Sequence, residues 1–102
     1  MEGKKYDNEK TKMGMVFSYF AKPFDLIAKC GTYGSNKYAK EEFWDTNWCK
    51  VTNGRQRYTD ALLRHLMAYL GGEKLDTESG LPHLAHAAWC ICAVMALEEE
   101  SE

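Results

Sequence analysis

The residues best equipped for chemistry crowd into positions 64–88. Arg64 and His65 sit in one apolar-periodic segment, Glu73, Asp76 and Glu78 fill the connection after Gly71 and Gly72, and His83 and His86 open the next segment. Polar groups gathered at the facing ends of two helices are how small helical proteins build sites. His83 and His86 are three apart and share a helix face. With the three carboxylates they can bind a divalent cation or hydrogen-bond a ligand. They can also serve the fold alone, one capping the 73–80 loop and the other satisfied in the core. Paired histidines hint at a transition metal, whereas magnesium prefers carboxylate oxygens and water.

Arg64 has two readings. Asp60 lies four residues earlier, the spacing of an intrahelical ion pair, yet the planar donors of arginine also suit a phosphate. His65 follows about 100° round the helix, so Arg64 and His65 do not share a face and one of them is left to a structural role.

A second group is basic and aromatic: Lys37, Tyr38, Trp44, Trp48, Arg55, Arg57 and Tyr58. These types recognise an anionic, base-bearing ligand by charge and stacking. Trp44 and Trp48 read either as a lid packed on the core or as rings for a base. Arg55 and Arg57 are expected just ahead of a helix N-terminus, where backbone donors attract phosphate.

The elements that must position these groups are helical. Met15 to Phe20 form an apolar run, either extended or a first helical turn. Pro23 suits a helix start, followed by Phe24, Leu26, Ile27 and Cys30, with Gly31 and Gly34 weakening the end. Residues 39–54 have no clean period and close on a turn signal, Thr52, Asn53 and Gly54. The clearest helix is expected from Tyr58 or Thr59 to Leu70, with Leu62, Leu63, Leu66, Met67 and Leu70 as its core stripe and Gly71 and Gly72 as its stop. The last is expected from Leu81 to about Glu98, with Leu84, Ala88, Trp89, Ile91 and Met95 supplying core. No β-alternation and no repeat compete with this. The reading is all-α: a small helical bundle whose two C-terminal helices pack antiparallel, completed by homo-oligomerisation.

The chain has 102 residues and a net charge of −2, from 13 basic and 15 acidic side chains. That is one domain, 13–102, behind a flexible basic arm, 1–12. The balance calls for neither polymeric nucleic acid nor a membrane surface. No apolar run approaches the roughly 20 residues of a membrane span, and the first ten residues lack a signal-peptide core, so a cytoplasmic protein is expected. Hydrophobic residues make up 45%, generous for a small domain, which supports the expected self-association. Cys30, Cys49, Cys90 and Cys92 form no zinc or disulfide pattern and are expected buried and reduced.

One stretch resembles a known family. Arg64 and His65, Gly72 and Glu73, Asp76, the run Glu78, Ser79, Gly80, Leu81, Pro82, His83, Leu84, and His86 among Ala85, Ala87 and Ala88 are similar to the dATP/dGTP diphosphohydrolase N-terminal-domain family of tailed phages and, more distantly, to MazG-like all-α pyrophosphohydrolases. The resemblance implies that the helix from Pro23 runs on through Tyr38. It implies cleavage of a purine deoxynucleoside triphosphate to monophosphate and pyrophosphate in the host cytoplasm, with Mg2+ activating water and neutralising phosphate charge. Glu73 and Asp76 would then be the catalytic, metal-holding pair, and Arg55, Arg57, Arg64, His65, Glu78, His83, His86, Trp44, Trp48, Lys37 and Tyr38 would contact the nucleotide. The MazG-like enzymes place two acidic pairs on facing helices. Here the candidates, Glu42 with Asp45 and Glu73 with Asp76, fall in expected connections. That difference supports the alternative: a non-catalytic, cofactor-free protein that sequesters a nucleotide immune signal, cyclic forms included, as an anti-defence sponge.

Overall fold

The computed structural model describes the backbone of residues 2–101 and side chains through Glu99. Four α-helices follow in order: α1, Met13–Tyr19; α2, Ala21–Tyr38; α3, Gly54–Leu70; and α4, His83–Ser101, with a short 3₁₀ turn, Asn47–Lys50, between α2 and α3. No strand forms among the described residues; an isolated antiparallel bridge joins Leu75 and Pro82. The all-α expectation holds.

Local chemistry sets the boundaries. Pro23 lacks an N–H and its ring crowds the carbonyl four residues back, at Tyr19, so α1 ends there and the chain kinks at Phe20 before α2. Residues 15–20 are therefore mostly helical, not extended, and α2 does run to Tyr38. Helix α3 starts at Gly54, four or five residues earlier than expected, because Asn53 adopts the left-handed conformation (φ 57°) and its carbonyl accepts from the Arg57 amide at 3.0 Å. Asparagine tolerates that conformation better than most side chains. Helix α4 starts at His83, not Leu81: the Pro82 carbonyl takes the first helical bonds, from Ala85 and His86.

Helices α3 and α4 run antiparallel, as their ring contacts show. Tyr58, early in α3, meets Trp89 at 5.4 Å between centroids, while His65, later in α3, meets His83 at the start of α4. Helix α2 lies on another side of α4. A Cβ on Gly31 would stand 2.7 Å from the Trp89 indole nitrogen, so glycine there is what admits the indole. The glycine that seemed to weaken α2 is thus needed by its packing.

The core differs from the one the apolar pattern predicts. Its buried members are small: Cys30, Ala39, Ala85, Ala87, Cys90 and Ala93. Of the larger residues assigned to it, Leu62, Leu66 and Trp89 are half-buried, while Leu63, Met67 and Leu70 on α3 and Leu84, Ile91 and Met95 on α4 are between 45% and 74% open. Helix α1 is exposed throughout. The radius of gyration, 16.9 Å, exceeds the roughly 13 Å of a compact 100-residue domain, so large apolar faces remain uncovered. All four cysteines are free; Cys30 and Cys90 are buried, with burial pushing both thiols up to about 11, while Cys92 is exposed, contrary to expectation. None of the helices is long and apolar enough to cross a membrane.

Candidate functional site

The loop between α3 and α4 is held by its own backbone. The Glu73 amide bonds the Ala68 carbonyl, Asp76 N–H donates to Leu81 O at 2.8 Å, and His83 N–H to Lys74 O at 3.0 Å. Gly80 turns at φ 75°, a left-handed conformation suited to glycine. Within the turn, Asp76 Oδ2 accepts from the Ser79 amide at 3.0 Å, and Ser79 Oγ accepts from the Leu81 amide at 3.1 Å.

This loop delivers its side chains to three histidines. His83 is 4% exposed. Its Nε2 lies 2.6 Å from Glu73 Oε1 and its Nδ1 lies 2.8 Å from His65 Nδ1. His86 stacks on His65 with centroids 4.7 Å apart and planes 9° apart, and its Nε2 lies 2.7 Å from Ser79 Oγ. Tyr33, on α2, meets the His86 ring edge-on at 6.2 Å. Lys37, one turn further along α2, pairs with Glu78 at 2.5 Å. The site thus joins α2, α3, the 73–80 loop and α4.

The protonation pattern follows from geometry. Burial lowers the His65 pKa, helped by the neighbouring His86 and His83, and burial likewise lowers that of His86. One proton lies between His65 Nδ1 and His83 Nδ1, and His83 Nε2–H donates to the Glu73 carboxylate. The Ser79 hydroxyl, already accepting from Leu81, has its proton for His86. Burial would raise the Asp76 carboxyl, but the hydrogen bond from the Ser79 amide leads the effects that hold it below its ordinary value. The hydrogen bond from Lys37, and behind it Tyr33, lowers Glu78. No buried side-chain nitrogen or oxygen among the described residues lacks a partner.

This arrangement orders a loop and links half-exposed Glu73 through His83 to His65. It is not a nucleophilic triad. Asp76 approaches His86 at the same Nε2 that faces Ser79, 3.9 Å away, whereas a triad carboxylate holds the opposite ring nitrogen. Nor do the expected metal ligands converge. Glu73 is taken by His83 and Asp76 by Ser79, and no group of three or more His, Cys, Asp or Glu is placed to hold a metal ion among the described residues. Magnesium asks for near-octahedral oxygen ligation, usually through one or two carboxylates plus water and substrate phosphate, and this donor set does not fit it.

The other expected site residues fall elsewhere. Trp44 bonds Asn36 through its indole N–H at 2.8 Å, and Trp48 meets Trp89 edge-on. With Trp89 these rings line an open groove of about 540 Å³ between α2, the 39–50 segment and α4, with Thr32, Ser35 and Asp45 as its polar groups. Tyr38 is 68% exposed, with the Lys37 ammonium 4.9 Å from its ring. Arg55 and Arg57 do not precede a helix; they lie in the first turn of α3, where Arg57 bonds the Thr52 carbonyl and Arg55 shares a hollow with Glu98. Arg64 is exposed and makes no ion pair with Asp60, which accepts from Gln56 instead. So His65, Glu73, Asp76, Glu78, His83, His86 and Lys37 come together, Trp44 and Trp48 form a separate groove, and the three arginines join neither. Tyr33 and the Ser79 hydroxyl were missed. Tyr33 lies on α2 one turn before Lys37, a spacing that only the docking of the loop makes meaningful.

A family model described as dATP/dGTP diphosphohydrolase, N-terminal, matches residues 1–102, the whole chain. No curated protein matches it, and no solved structure does.

Proposed function

We propose, since the chain belongs to the dATP/dGTP diphosphohydrolase N-terminal family, that it binds a purine deoxynucleotide. The observation that carries this reading is the groove lined by Trp44, Trp48 and Trp89. Aromatic rings offer a stacking platform to a base, worth about 1–3 kcal/mol per base. Thr32, Ser35 and Asp45 can hydrogen-bond a ribose or a base edge.

Binding without cleavage is the form of this reading that the geometry supports best. Glu73 and Asp76, the carboxylates that a pyrophosphohydrolase would spend on magnesium, are hydrogen-bonded to His83 and to the Ser79 amide. Retention of an intact nucleotide, linear or cyclic, is then the biochemical role, consistent with a sponge for a nucleotide signal. The family description favours the second reading, cleavage to monophosphate and pyrophosphate. Calorimetric titration with dATP, dGTP, dCTP and dTTP tests the reading common to both. Purine binding that outcompetes pyrimidine binding supports it, and heat-silent titrations with all four refute it.

A further inference from the structure

Of the described residues that line the tryptophan groove, Asp45 alone is charged. It is exposed, and its carboxylate takes no hydrogen bond or ion pair from any described residue. A tight turn fixes its place. The Phe43 carbonyl accepts from the Thr46 amide at 3.0 Å and from the Asn47 amide at 2.6 Å, which leaves Trp44 and Asp45 at the tip. Phe43 enters the turn at φ 60°, a conformation costly for a bulky side chain, and the Lys50 ammonium lies 4.1 Å from its ring centroid. Trp44 is also tied to α2, through the bond from its indole N–H to Asn36. One turn thus brings to the groove an aromatic ring and, on the next residue, a carboxylate with both oxygens open. On the α2 side, the Thr32 hydroxyl gives its proton to the Ala28 carbonyl at 3.0 Å, so it too meets a ligand as an acceptor.

We infer that Asp45 selects guanine among the bases, an inference that rests on the nucleotide reading of this groove given above. Two constraints lead there. A carboxylate repels phosphate, so Asp45 serves the base end of the ligand. An ionised carboxylate also accepts hydrogen bonds and cannot donate them, so the base edge it meets must present N–H groups. Guanine is the one base of the four whose pairing edge sets two donors side by side, N1–H and the N2 amino group. Two parallel, charge-assisted bonds then satisfy both carboxylate oxygens. Adenine sets its N6 amino group beside the bare N1 nitrogen, and cytosine sets its N4 amino group beside bare N3, so one carboxylate oxygen would face a lone pair. Thymine offers a single N–H between two carbonyls. The tryptophan rings supply stacking that every base can use; Asp45 supplies the choice.

Calorimetric titration of the full chain with dGTP, deoxyinosine triphosphate and dATP tests this, with Asp45→Asn run beside the wild type. The wild type should bind dGTP roughly tenfold or more tighter than dATP, within the range for a bidentate base contact. Deoxyinosine triphosphate keeps N1–H but lacks the amino group, so it should fall between them. Asp45→Asn puts an N–H2 donor where one acceptor oxygen stood, which suits the adenine edge. The dGTP preference should therefore vanish or reverse, with helical circular dichroism kept because the position is exposed. Equal affinities for dGTP and dATP in the wild type, both lowered by Trp44→Ala, overturn this inference and leave the groove reading standing. A dGTP preference that survives in Asp45→Asn overturns the role of Asp45. Absence of binding by all three nucleotides overturns the groove reading and this inference together.

Discussion

His65 and His83 meet through their Nδ1 atoms, 2.8 Å apart, and only one of the two can carry the proton between them. The pair ties the end of α3 to the first residue of α4, and Glu73 fixes the far side of the buried ring at 2.6 Å. His83→Leu removes both bonds at once. It should cost about 1–3 kcal/mol, the range for stranding a hydrogen-bond partner, read as a lower midpoint in urea. Adding His65→Ala should then cost little more, because residues of one network are not additive. Full additivity of the two losses would show that the contact carries no coupling.

Acid should loosen this junction before it affects the rest of the chain. His65 and His86 have pKa values lowered from 6.5 in the folded chain, mainly by burial. The unfolded chain therefore binds their protons more readily. Their contribution is complete above about pH 6.5 and is lost as pH falls through the lowered folded values. Asp76 and Glu78, lowered from 3.8 and 4.5 by their hydrogen bonds, add a loss of the same sign in a more acid window. Urea midpoints at pH 7.5, 6 and 5 should fall in that order. A midpoint unchanged from 7.5 to 5 would contradict it.

Gly31→Ala tests the packing that opens the groove. The new methyl would stand 2.7 Å from Trp89 Nε1, so the indole must move. Overpacking of this kind costs about 1–3 kcal/mol, against the roughly 0.5–1 kcal/mol that alanine gains over glycine inside a helix. A net loss of stability with shifted tryptophan fluorescence is expected. A more stable protein with unchanged emission would mean that α2 and α4 do not touch there.

Those contacts also show what the sequence could and could not convey. Helical period and the glycine stop placed α3 and α4 and their antiparallel packing, because both signals are local. The apolar stripe of Leu63, Met67 and Leu70 was equally plain, but a stripe records that a face needs cover without saying what covers it. The chain buries Ala85, Ala87, Cys90 and Ala93 instead, since small residues let helices approach. Helix starts slipped where backbone groups outrank side chains: the Asn53 and Pro82 carbonyls open α3 and α4. His83 and His86 were legible as a pair on one face. Their partners His65, Ser79 and Tyr33 come from three other elements, so no spacing rule reaches them.

The aromatic groove makes a specific demand. Trp48→Ala removes a ring that meets Trp89 edge-on, and Trp44→Ala removes one that is 39% exposed. Trp44→Ala should weaken purine nucleotide binding by about 1–3 kcal/mol, the usual worth of one stacked base, with little change in helix content. Unchanged affinity in calorimetry would take the base out of the groove and leave Trp44 as a cover.

Glu73→Gln separates the two readings of the loop carboxylates. If Glu73 serves His83, the substitution keeps a hydrogen-bonding side chain and nucleotide affinity should hold within about threefold, or roughly 0.7 kcal/mol, with or without chelator. Loss of affinity in Glu73→Gln that matches the effect of chelator on the wild type would instead make Glu73 a metal ligand.

The most direct measurement is to incubate the protein with dATP or dGTP and magnesium, separate free from bound nucleotide, and chromatograph both fractions before and after denaturing the protein. The same protocol extends to cyclic nucleotides. The account predicts that intact purine nucleotide travels with the folded protein and is released unchanged on denaturation. Release of deoxynucleoside monophosphate and pyrophosphate at a rate proportional to enzyme would contradict it, as would no nucleotide travelling with the protein at all.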